Sequence, residues 1–412
     1  MTETAAIIEF LRNAIHGTLY ENKVYIAGGF VRDTLLKTPS KDIDLTIDQF
    51  EGGIKFANWI TQQLNIHSTS NPLVFPTFGT AKFTLRGLRY KKIPLYNIDI
   101  ECVSPRKETY TKGSRKPIVS QGGLQDDVYR RDFTVNSLLY NISTKKILDI
   151  TGKGKSDIKN GIIRTTQDPD IILRQDGLRL LRAIRFATKY NWKLEPNLYA
   201  ALSRNANCLN DISKERIQEE FNKMLQLPNC SVACKMLVET NMWKHIFPAV
   251  KLSSQKLQLL EKASCSMVKL AVLFHDVPAN DIEHSLKSLK YPNQIVLVIL
   301  NVVSFQDFFK NERTIQKIRE FRWLAGKDVL YSLELISLLH KSINVASIAT
   351  QLKKLGSQPI KSPVSGNDLV KMGVTPGPQF KKLLSIIQAK FEENPELSKD
   401  ELLSLISPNK DK

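Results

Sequence analysis

The sequence lacks the features that mark several large classes of protein. No apolar run in its 412 residues reaches the length of a membrane span. The opening segment, MTETAAIIEF, carries Glu3 and Glu9, and it has neither a basic leader region nor an Arg- and Ser-rich transit pattern. There is no convincing internal repeat and no low-complexity tract. We therefore expect a soluble, cytoplasmic protein, while import into mitochondria stays open.

Cysteines are few and are not arranged for cross-linking or for zinc. There are five, an odd number, and no CxxC motif occurs among them. Cys230 and Cys234 lie four residues apart, but no histidine pair completes a zinc site. We expect reduced thiols with structural roles in a reducing compartment.

Acidic residues are also in deficit. The chain has 41 Asp and Glu against 59 Lys and Arg, which gives a formal charge of +18 at neutral pH. This excess suits a polyanionic partner, although charge alone does not distinguish RNA, DNA and a membrane surface. A hydrophobic content of 42% and a charged content of 24% are typical of a globular protein, and the length suits two to four domains.

The pattern along the chain predicts an α+β fold with two contrasting parts. Residues 1–23 indicate an amphipathic helix and a loop. Between residues 24 and 150, short strands alternate with helices: VYIAG, DIDLTI, AKFTLR, LYNIDIECVS, a helix from Tyr129, and the strand KILDI. From about residue 170, apolar residues recur at helical spacing and strand signals nearly vanish. We expect an N-terminal mixed-sheet head followed by an all-helical neck, body and tail.

The segment 24–48, VYIAGGFVRDTLLKTPSKDIDLTID, is the most informative part of the chain. An apolar strand runs into Gly28 and Gly29, and a second strand carries Asp42 and Asp44, which alternation places on one face. Paired carboxylates are hard ligands that hold Mg²⁺ against a triphosphate, and glycines let backbone N–H groups approach phosphates. The pattern indicates a two-metal nucleotidyl-transfer site. The complete string disfavours the alternative, a glycine turn beside a solvated DxD.

A later strand, YNIDIECV, offers a third carboxylate. Asp99 and Glu101 share one face of this strand. Either residue could supply a further carboxylate beside Asp42 and Asp44. A solvent-facing strand edge is the alternative for one of the two.

Two strings in the first third of the chain resemble motifs of one family. GGxVRDxLL…DIDL and RRDxxxN are similar to motifs of the class II nucleotidyltransferases of the polymerase β superfamily, the tRNA CCA-adding enzymes and bacterial poly(A) polymerases. The resemblance covers most of residues 20–225. It implies that Asp42 and Asp44 bind Mg²⁺ and that Glu101, aligned by the following Arg106, is the third catalytic carboxylate, with Asp99 in reserve. It also implies a set of residues that bind the ribose and triphosphate of the incoming nucleotide: Gly28, Gly29, Arg32, Arg131, Asp132 and Asn136.

A third string, QDGLR at residues 175–179, resembles the EDxxR motif of the family, which serves as an amino-acid template that pairs with CTP or ATP. Asp176 and Arg179, three apart on a helix, are expected to project together and read the base; an i,i+3 salt bridge is the alternative. Gln175 replaces the first acid of the motif, and Gly177 replaces the usual proline. Two further nucleotide-binding residues are implied on the same helix: Arg182 and Arg185.

Four other segments carry expectations. The segment 106–123 should be a mobile loop, which in the family acts as a lever that resets the template from CTP to ATP. The string DITGKGKSD at residues 149–157 resembles a hinge between head and neck. His275, in an HD dipeptide, is interpreted as structural. The string SGNDL…GVTPGP resembles the tail of bacterial-type CCA-adding enzymes, which implies that nearby lysines contact the RNA backbone: Lys371, Lys381 and Lys382. A plain helical connection with solvated lysines is the alternative.

The resemblance implies a tRNA nucleotidyltransferase that adds or repairs the 3′-terminal CCA with CTP and ATP, using Mg²⁺ and no nucleic-acid template. Its partner would be tRNA, contacted at the 3′ end and the acceptor/T arm, with no membrane and no obligate protein partner. The expected division is a catalytic head at 1–150, a neck at 151–250, a body at 251–350 and a tRNA-binding tail at 351–412. Alternatives are a partial CC- or A-adding enzyme, a bacterial-type poly(A) polymerase, and a catalytically idle RNA-binding protein.

Overall fold

The computed structural model describes residues 3–38, 43–64, 69–91, 93–95, 98–109, 118–356 and 360–406. The chain divides into two compact units. The N-terminal unit comprises residues 1–213 with 239–245, and the C-terminal unit comprises 214–238 with 246–412. The finer division into head, neck, body and tail stays a prediction.

The N-terminal unit contains all the strands of the described chain. Its strands are β1 (Val24–Ala27), β2 (Ile43–Ile47), β3 (Leu73–Phe75), β4 (Thr80–Leu85), β5 (Leu88–Tyr90), β6 (Ile93–Leu95), β7 (Ile98–Val103), β8 (Arg106–Thr109), β9 (Ile118–Gln121), β10 (Leu139–Asn141), β11 (Ile147–Leu148), β12 (Ile162–Ile163) and β13 (Lys193–Leu194). Its helices are α1 (Glu3–Ile15), α2 (Gly29–Leu35), α3 (Gly52–Gln63), α4 (Leu124–Tyr129), α5 (Gly154–Asn160), α6 (Pro169–Gln175), α7 (Leu178–Tyr190) and α8 (Pro196–Arg204), with short 3₁₀ helices at Pro76–Phe78, Thr134–Asn136 and Ala206–Asp211.

Seven of the described strands form one mixed sheet, in the order β11-β10-β1-β2-β7-β4-β3. β2 and β7 are parallel, and the other neighbours in this sheet are antiparallel. All four residues of β1 are buried, as expected for an apolar central strand. The sheet followed by helices confirms the predicted α+β class.

The sheet has one packed face and one open face. Helix α3 packs against β2, β4 and β7. Buried residues of these strands alternate with the exposed residues Asp44, Lys82 and Glu101. Since alternate side chains point to opposite faces, these three lie on the face that α3 leaves open.

The remaining helices follow β13 and α8 to the end of the described chain: α9 (Lys214–Leu225), α10 (Cys230–Glu239), α11 (Trp243–Ile246), α12 (Ser254–Lys262), α13 (Ser266–Phe274), α14 (Ala279–Ser288), α15 (Asn293–Ser304), α16 (Ile315–Ala325), α17 (Val329–Leu339), α18 (Val345–Leu355), α19 (Gly366–Lys371), α20 (Pro378–Glu393) and α21 (Lys399–Ser404), with a 3₁₀ turn at Gly326–Asp328. One core of the C-terminal unit is built around Phe305, Phe309 and Phe321. A buried ion pair joins Arg322 of α16 to Glu392 of α20. No helix within the described residues is long and apolar enough to cross a membrane.

Two predictions about the head were wrong in detail. The helix expected from Tyr129 ends there: it begins five residues earlier, at Leu124, where the backbone N–H of the preceding Gly123 donates to the Asp126 carboxylate at 2.9 Å. The flanks of the expected mobile loop are strands, since β8 and β9 pair antiparallel with Arg106 opposite Gln121. Residues 110–117, the centre of that loop, lie outside the described residues.

Candidate active site

Two of the predicted catalytic carboxylates are direct neighbours in the sheet. Asp44 of β2 is in register with Glu101 of β7 in the parallel pair. Both side chains are exposed, and residues in register on neighbouring strands point to the same face, roughly 4.8 Å apart. The structure thus brings Asp44 and Glu101 together. Asp42, the other predicted metal ligand, lies outside the described residues.

Asp99, the reserve choice for the third carboxylate, is placed differently. Its carboxylate accepts a hydrogen bond from Thr84 at 2.7 Å and forms an ion pair with Lys82 at 2.7 Å. The hydrogen bond from Lys82 and that from Thr84 hold the pKa of Asp99 below its ordinary value. This geometry favours Glu101 as the carboxylate that acts beside Asp44.

Because Asp99 and Glu101 differ in their neighbours, we expect their neutral variants to differ in rate. Glu101→Gln should lower kcat at least about 100-fold, the scale of losing one group that acts on the developing charge. Asp99→Asn should stay within about threefold of the parent, because its ion pair is exposed and such pairs contribute little. Single-turnover rates at saturating nucleotide and RNA check this. Equal losses in both variants would contradict the assignment.

Gly28 brings the backbone up to the Asp44 carboxylate. Strand β1 ends with Ala27 in register with Asp44, and Gly28 follows with a φ of +74°. A Cβ at this position would lie 3.6 Å from Oδ2 of Asp44 and 3.8 Å from Nη1 of Arg131. The left-handed backbone favours glycine, and the predicted site residues Gly28, Asp44 and Arg131 meet at this turn.

Arg131 is held in place by a residue that the motif analysis did not identify. Asp127 of α4 is fully buried and accepts hydrogen bonds from Nε of Arg131 at 3.2 Å and from Nη2 at 2.7 Å. The same carboxylate pairs with Arg130. Burial opposes ionisation of Asp127, but the charges of Arg131 and Arg130 outweigh it and hold the pKa of the carboxyl below its ordinary value. An acid three and four residues before two arginines is the sequence signal for this clamp.

Asp132 and Asn136 are joined in a buried network. Nδ2 of Asn136 donates to Oδ1 of Asp132 at 3.0 Å, and Arg182 of α7 donates to Oδ2 through Nε at 2.9 Å and Nη2 at 2.6 Å. Burial raises the pKa of Asp132, but Arg182 and Asn136 together bring it below its ordinary value. Asp132 is therefore ionised at neutral pH, and the hydrogen bonds fix the orientation of Asp132 and Asn136.

Arg32 extends this network to helix α2. Its guanidinium donates to the side-chain oxygen of Asn136 and to Asp33, and it lies 5.2 Å from the ring centroid of Phe186 and 5.0 Å from that of Tyr190. Arg32 is 4% exposed. Its contacts are with protein groups, so it orients Asn136; direct nucleotide contact stays a prediction. The guanidinium of Arg185 also lies over the Phe186 ring, 4.3 Å from its centroid.

The expectation that Asp176 and Arg179 lie on one helix is wrong. Helix α6 ends at Gln175, Asp176 has an extended backbone, and α7 begins at Leu178. The carboxylate of Asp176 accepts from the N–H of Leu178 at 3.1 Å, as an N-terminal cap does. Arg179 donates through Nη1 to Gln175 at 3.0 Å and through Nη2 to the carbonyl of Arg130 at 2.6 Å.

Gly177 explains one departure from the family motif. A Cβ at Gly177 would lie 2.4 Å from the carbonyl oxygen of Cys208. No side chain fits at that distance, so the backbone of 208 must move if residue 177 carries one. The structure requires glycine where the family usually has proline.

We therefore expect Gly177→Ala and Gly177→Pro to destabilise the chain by about 1–3 kcal/mol, the usual cost of overpacking. The proline variant is informative because it restores the family residue. Thermal unfolding monitored by circular dichroism measures the loss. Gly123→Ala is the matched control, because a Cβ there meets only Oδ2 of Asp126 at 4.0 Å. A proline variant as stable as the parent would contradict this account.

The residues outside the head have simpler surroundings. Asp276 forms an ion pair at 2.5 Å with Lys256, whose side chain is 1% exposed and also donates to the carbonyl of Leu273 at 2.8 Å. Burial lowers the pKa of the neighbouring His275. These contacts favour a structural role for the HD dipeptide. The predicted RNA-binding lysines of α19 and α20 are exposed, and their role stays a prediction: Lys371, Lys381 and Lys382.

The donor set at the sheet face fits a divalent cation. Mg²⁺ prefers one or two carboxylates completed by phosphate oxygens, and Asp44 and Glu101 present carboxylates side by side. Within the described ranges, no group of three or more His, Cys, Asp or Glu side chains is arranged to hold a metal ion. Among the described residues the fit therefore depends on Asp44 and Glu101, completed by ligands that a substrate would add.

The fold is that of an α+β unit with carboxylates paired on one sheet face, followed by a long series of helices. Three family models match the chain: the poly A polymerase head domain over residues 24–164, a probable RNA- and SrmB-binding site of polymerase A over 191–253, and a tRNA nucleotidyltransferase domain 2 over 260–396. The three matches follow one another along the chain, which is similar over most of its length to parts of poly(A) polymerases and tRNA nucleotidyltransferases.

Individual proteins extend this similarity. The tRNA nucleotidyltransferase cca2 of Schizosaccharomyces pombe is 36% identical over 61% of this chain, and the match covers 54% of that relative, so the chain spans about half its length. A CCA-adding enzyme of Limosilactobacillus fermentum is 27% identical over 90% of this chain and 89% of its own. The crystal structure of the Bacillus stearothermophilus CCA-adding enzyme in complex with CTP has the same fold, with a TM-score of 0.71, 22% identity and coverage of 98% and 97% of the two chains.

Proposed function

We propose that this chain is a nucleotidyltransferase that adds or repairs the 3′-terminal CCA of tRNA with CTP and ATP, without a nucleic-acid template. The observation that carries the proposal is the register of Asp44 with Glu101 beside the Gly28 turn. Relatives named as CCA-adding enzymes, one of which matches along nine-tenths of this chain, support the choice of tRNA. The net charge of +18 suits that polyanion.

The residues on the sheet face have distinct roles in the proposed reaction. The 3′-oxygen of the RNA attacks the α-phosphorus of the nucleotide, the bond to pyrophosphate breaks, and the hydroxyl proton leaves toward Glu101. Arg131, aimed by Asp127, binds the triphosphate next to the Gly28 backbone. Asp132 and Asn136 hold the ribose in the orientation that Arg182 and Arg32 fix. Since little covalent chemistry falls to the protein, positioning and charge neutralisation dominate.

Asp44 and Asp42 would hold Mg²⁺, the proposed cofactor, with Glu101 beside them. When bound there, the ion neutralises phosphate charge and lowers the pKa of the attacking hydroxyl. Asp176, just before α7, and Arg179 and Arg185, within it, remain the proposed base-selecting and nucleotide-binding residues. The domain division, the tail lysines and a cytoplasmic location also remain proposals.

Four incubations test the proposal. Purified protein is given tRNA that lacks CCA, with CTP alone, ATP alone, both, or UTP and GTP. We expect two added residues with CTP alone and three with both CTP and ATP. Addition of C or A only indicates a partial enzyme, and a long A tail indicates a poly(A) polymerase, which the head-domain match also allows. Binding of RNA without any addition would overturn the proposal in favour of an idle RNA-binding protein.

A further inference from the structure

The strand order divides the open face of the sheet into two halves. Gly28 and Arg131 lie on the β1 side of Asp44, where Ala27 is its partner in register. On the other side the register continues through Glu101 of β7 to Lys82 of β4 and Leu73 of β3. Asp44 and Glu101 therefore separate two parts of the face. On one side lies the Gly28 turn, where the proposed function places the phosphates. On the other side, the surface of β4 and β3 has no assigned role in nucleotide binding.

The geometry of the reaction indicates a role for the surface on the β4 and β3 side of the carboxylates. In phosphoryl and nucleotidyl transfer the attacking and leaving oxygens are roughly in line on opposite sides of the phosphorus. If the triphosphate lies toward Gly28, as the proposed function requires, the attacking hydroxyl comes from the β4 and β3 side. The acceptor RNA must end on that half of the face.

The chemistry of this half suits the end of an RNA strand. Phe75 is 43% exposed and Leu73 is 59% exposed on β3, the edge strand of the described sheet. Phe75 lines a cavity of about 480 Å³ together with Glu101, Lys82 and Arg106. An exposed aromatic ring beside cations is the arrangement on which single-stranded nucleic acid stacks its bases and neutralises its phosphates.

We propose that Phe75 is a stacking platform for the base of the 3′-terminal nucleotide of the acceptor RNA, flanked by Leu73, with Lys82 and Arg106 at its phosphates. Stacking is tolerant of base identity, which suits an acceptor whose terminal base changes with each addition. The ion pair of Lys82 with Asp99 does not prevent this contact. The side chains of Lys82 and Asp99 are 45% and 55% exposed. A surface ion pair of this kind is weak, so Lys82 can exchange Asp99 for a phosphate.

Phe75→Ala, Phe75→Leu and Phe75→Trp test the platform in the full chain. Steady-state addition is measured with varied tRNA lacking CCA at saturating nucleotide, and with varied nucleotide at saturating tRNA. We expect Phe75→Ala to raise the KM for tRNA about tenfold, the scale of one lost base–aromatic contact. The KM for CTP should stay unchanged. Phe75→Trp should keep the parent value, and Phe75→Leu, apolar but unable to stack, should resemble the alanine variant.

Two matched controls isolate stacking from other effects. Phe50→Ala removes an aromatic ring that is 56% exposed elsewhere in the same unit, and it should change neither KM. An RNA with an abasic 3′-terminal nucleotide should bind the parent as weakly as it binds Phe75→Ala.

A further variant tests the proposed phosphate contact of Lys82. Lys82→Gln should lower the slope of log Kd for RNA against log salt by about one, as loss of one phosphate contact does.

The outcomes separate this inference from the function on which it rests. If the parent adds nucleotides and Phe75→Ala keeps its KM for tRNA, the platform is wrong and the proposed function stands. If Phe75→Ala changes the oligomeric state at an unchanged KM, the β3 edge is a protein contact, and the platform is again wrong. If the parent adds nothing to RNA, the proposed function and the platform both fall.

Discussion

Replacing Asp44 by alanine is expected to abolish addition of both CMP and AMP, lowering kcat at least about 1000-fold. Asp44 is in register with Glu101, and its Oδ2 would lie 3.6 Å from a Cβ at Gly28. No other described side chain combines these two neighbours. Quenched-flow addition of one nucleotide to tRNA lacking the last residue measures the chemical step directly.

The contrast between rate and binding makes this test specific. The Kd for tRNA should stay within about twofold, because an exposed carboxylate repels the RNA phosphates and does not bind them. Asp48→Ala is the matched control, since that carboxyl lies beyond the end of β2, away from Glu101. Its variant should keep parental activity. Normal turnover in Asp44→Ala would move the catalytic centre elsewhere.

The sequence predicted which residues belong to the site better than it predicted how the fold brings them together. Alternation within a strand predicted that Asp99 and Glu101 would share one face of β7, and both are exposed between buried neighbours. The parallel pairing of β2 with β7 could not be derived, because β3, β4, β5 and β6 intervene in the chain and strand order is a property of the folded sheet. The register that makes Asp44 and Glu101 neighbours became visible only with the structure.

The start of helix α7 shows a different limit. Helical spacing correctly predicted the buried stripe that includes Leu180 and Ile184. It did not predict the break at Asp176, nor the close approach of the adjacent Gly177 to the carbonyl of Cys208, thirty-one residues later in the chain. Local helix propensity does not depend on contacts between residues so far apart in the chain. The departure of Gly177 from the family motif was visible in the sequence, but its cause was not.

Asp127 was missed for a third reason. The motif that follows it, RRDFTVN, drew attention to residues that would face a substrate. Asp127 is 0% exposed and acts by forming ion pairs with Arg130 and Arg131. Its spacing to both arginines is visible in the sequence, but a buried acid and a solvated one look alike until the packing around α4 is known.

Asp127 should consequently be the most stability-sensitive acid of the head. Asp127→Ala leaves two guanidinium groups without their buried partner, and breaking such a cluster costs about 3–5 kcal/mol. We expect a fall in the thermal midpoint of about 10 °C for a unit of this size. Because Arg131 would no longer be aimed at the Gly28 turn, the KM for CTP and ATP should also rise. Differential scanning fluorimetry and steady-state kinetics measure the two effects.

The pH dependence identifies charge pairing as the cause. The pKa of Asp127 is lowered in the folded chain from its ordinary value of 3.8, because the two arginines outweigh the effect of burial. Its contribution to stability is therefore complete above that ordinary value and is lost as pH falls through the lowered one. The stability difference between the parent and Asp127→Asn should be constant from pH 5 to 8, by this linkage, and should shrink below about pH 4.

A matched variant distinguishes the buried cluster from an ordinary surface ion pair. Glu51→Gln breaks the exposed pair with Lys55, whose side chains are 55% and 47% exposed, in the same unit. Its stability should change by less than about 0.5 kcal/mol, and the change should fade in high salt. The Asp127 variants should keep most of their loss at 1 M salt, because a fully buried carboxylate is poorly screened. An Asp127→Asn chain as stable as the parent at pH 7 would show that packing around α4, and not the charge of Asp127, aims Arg131 at the site.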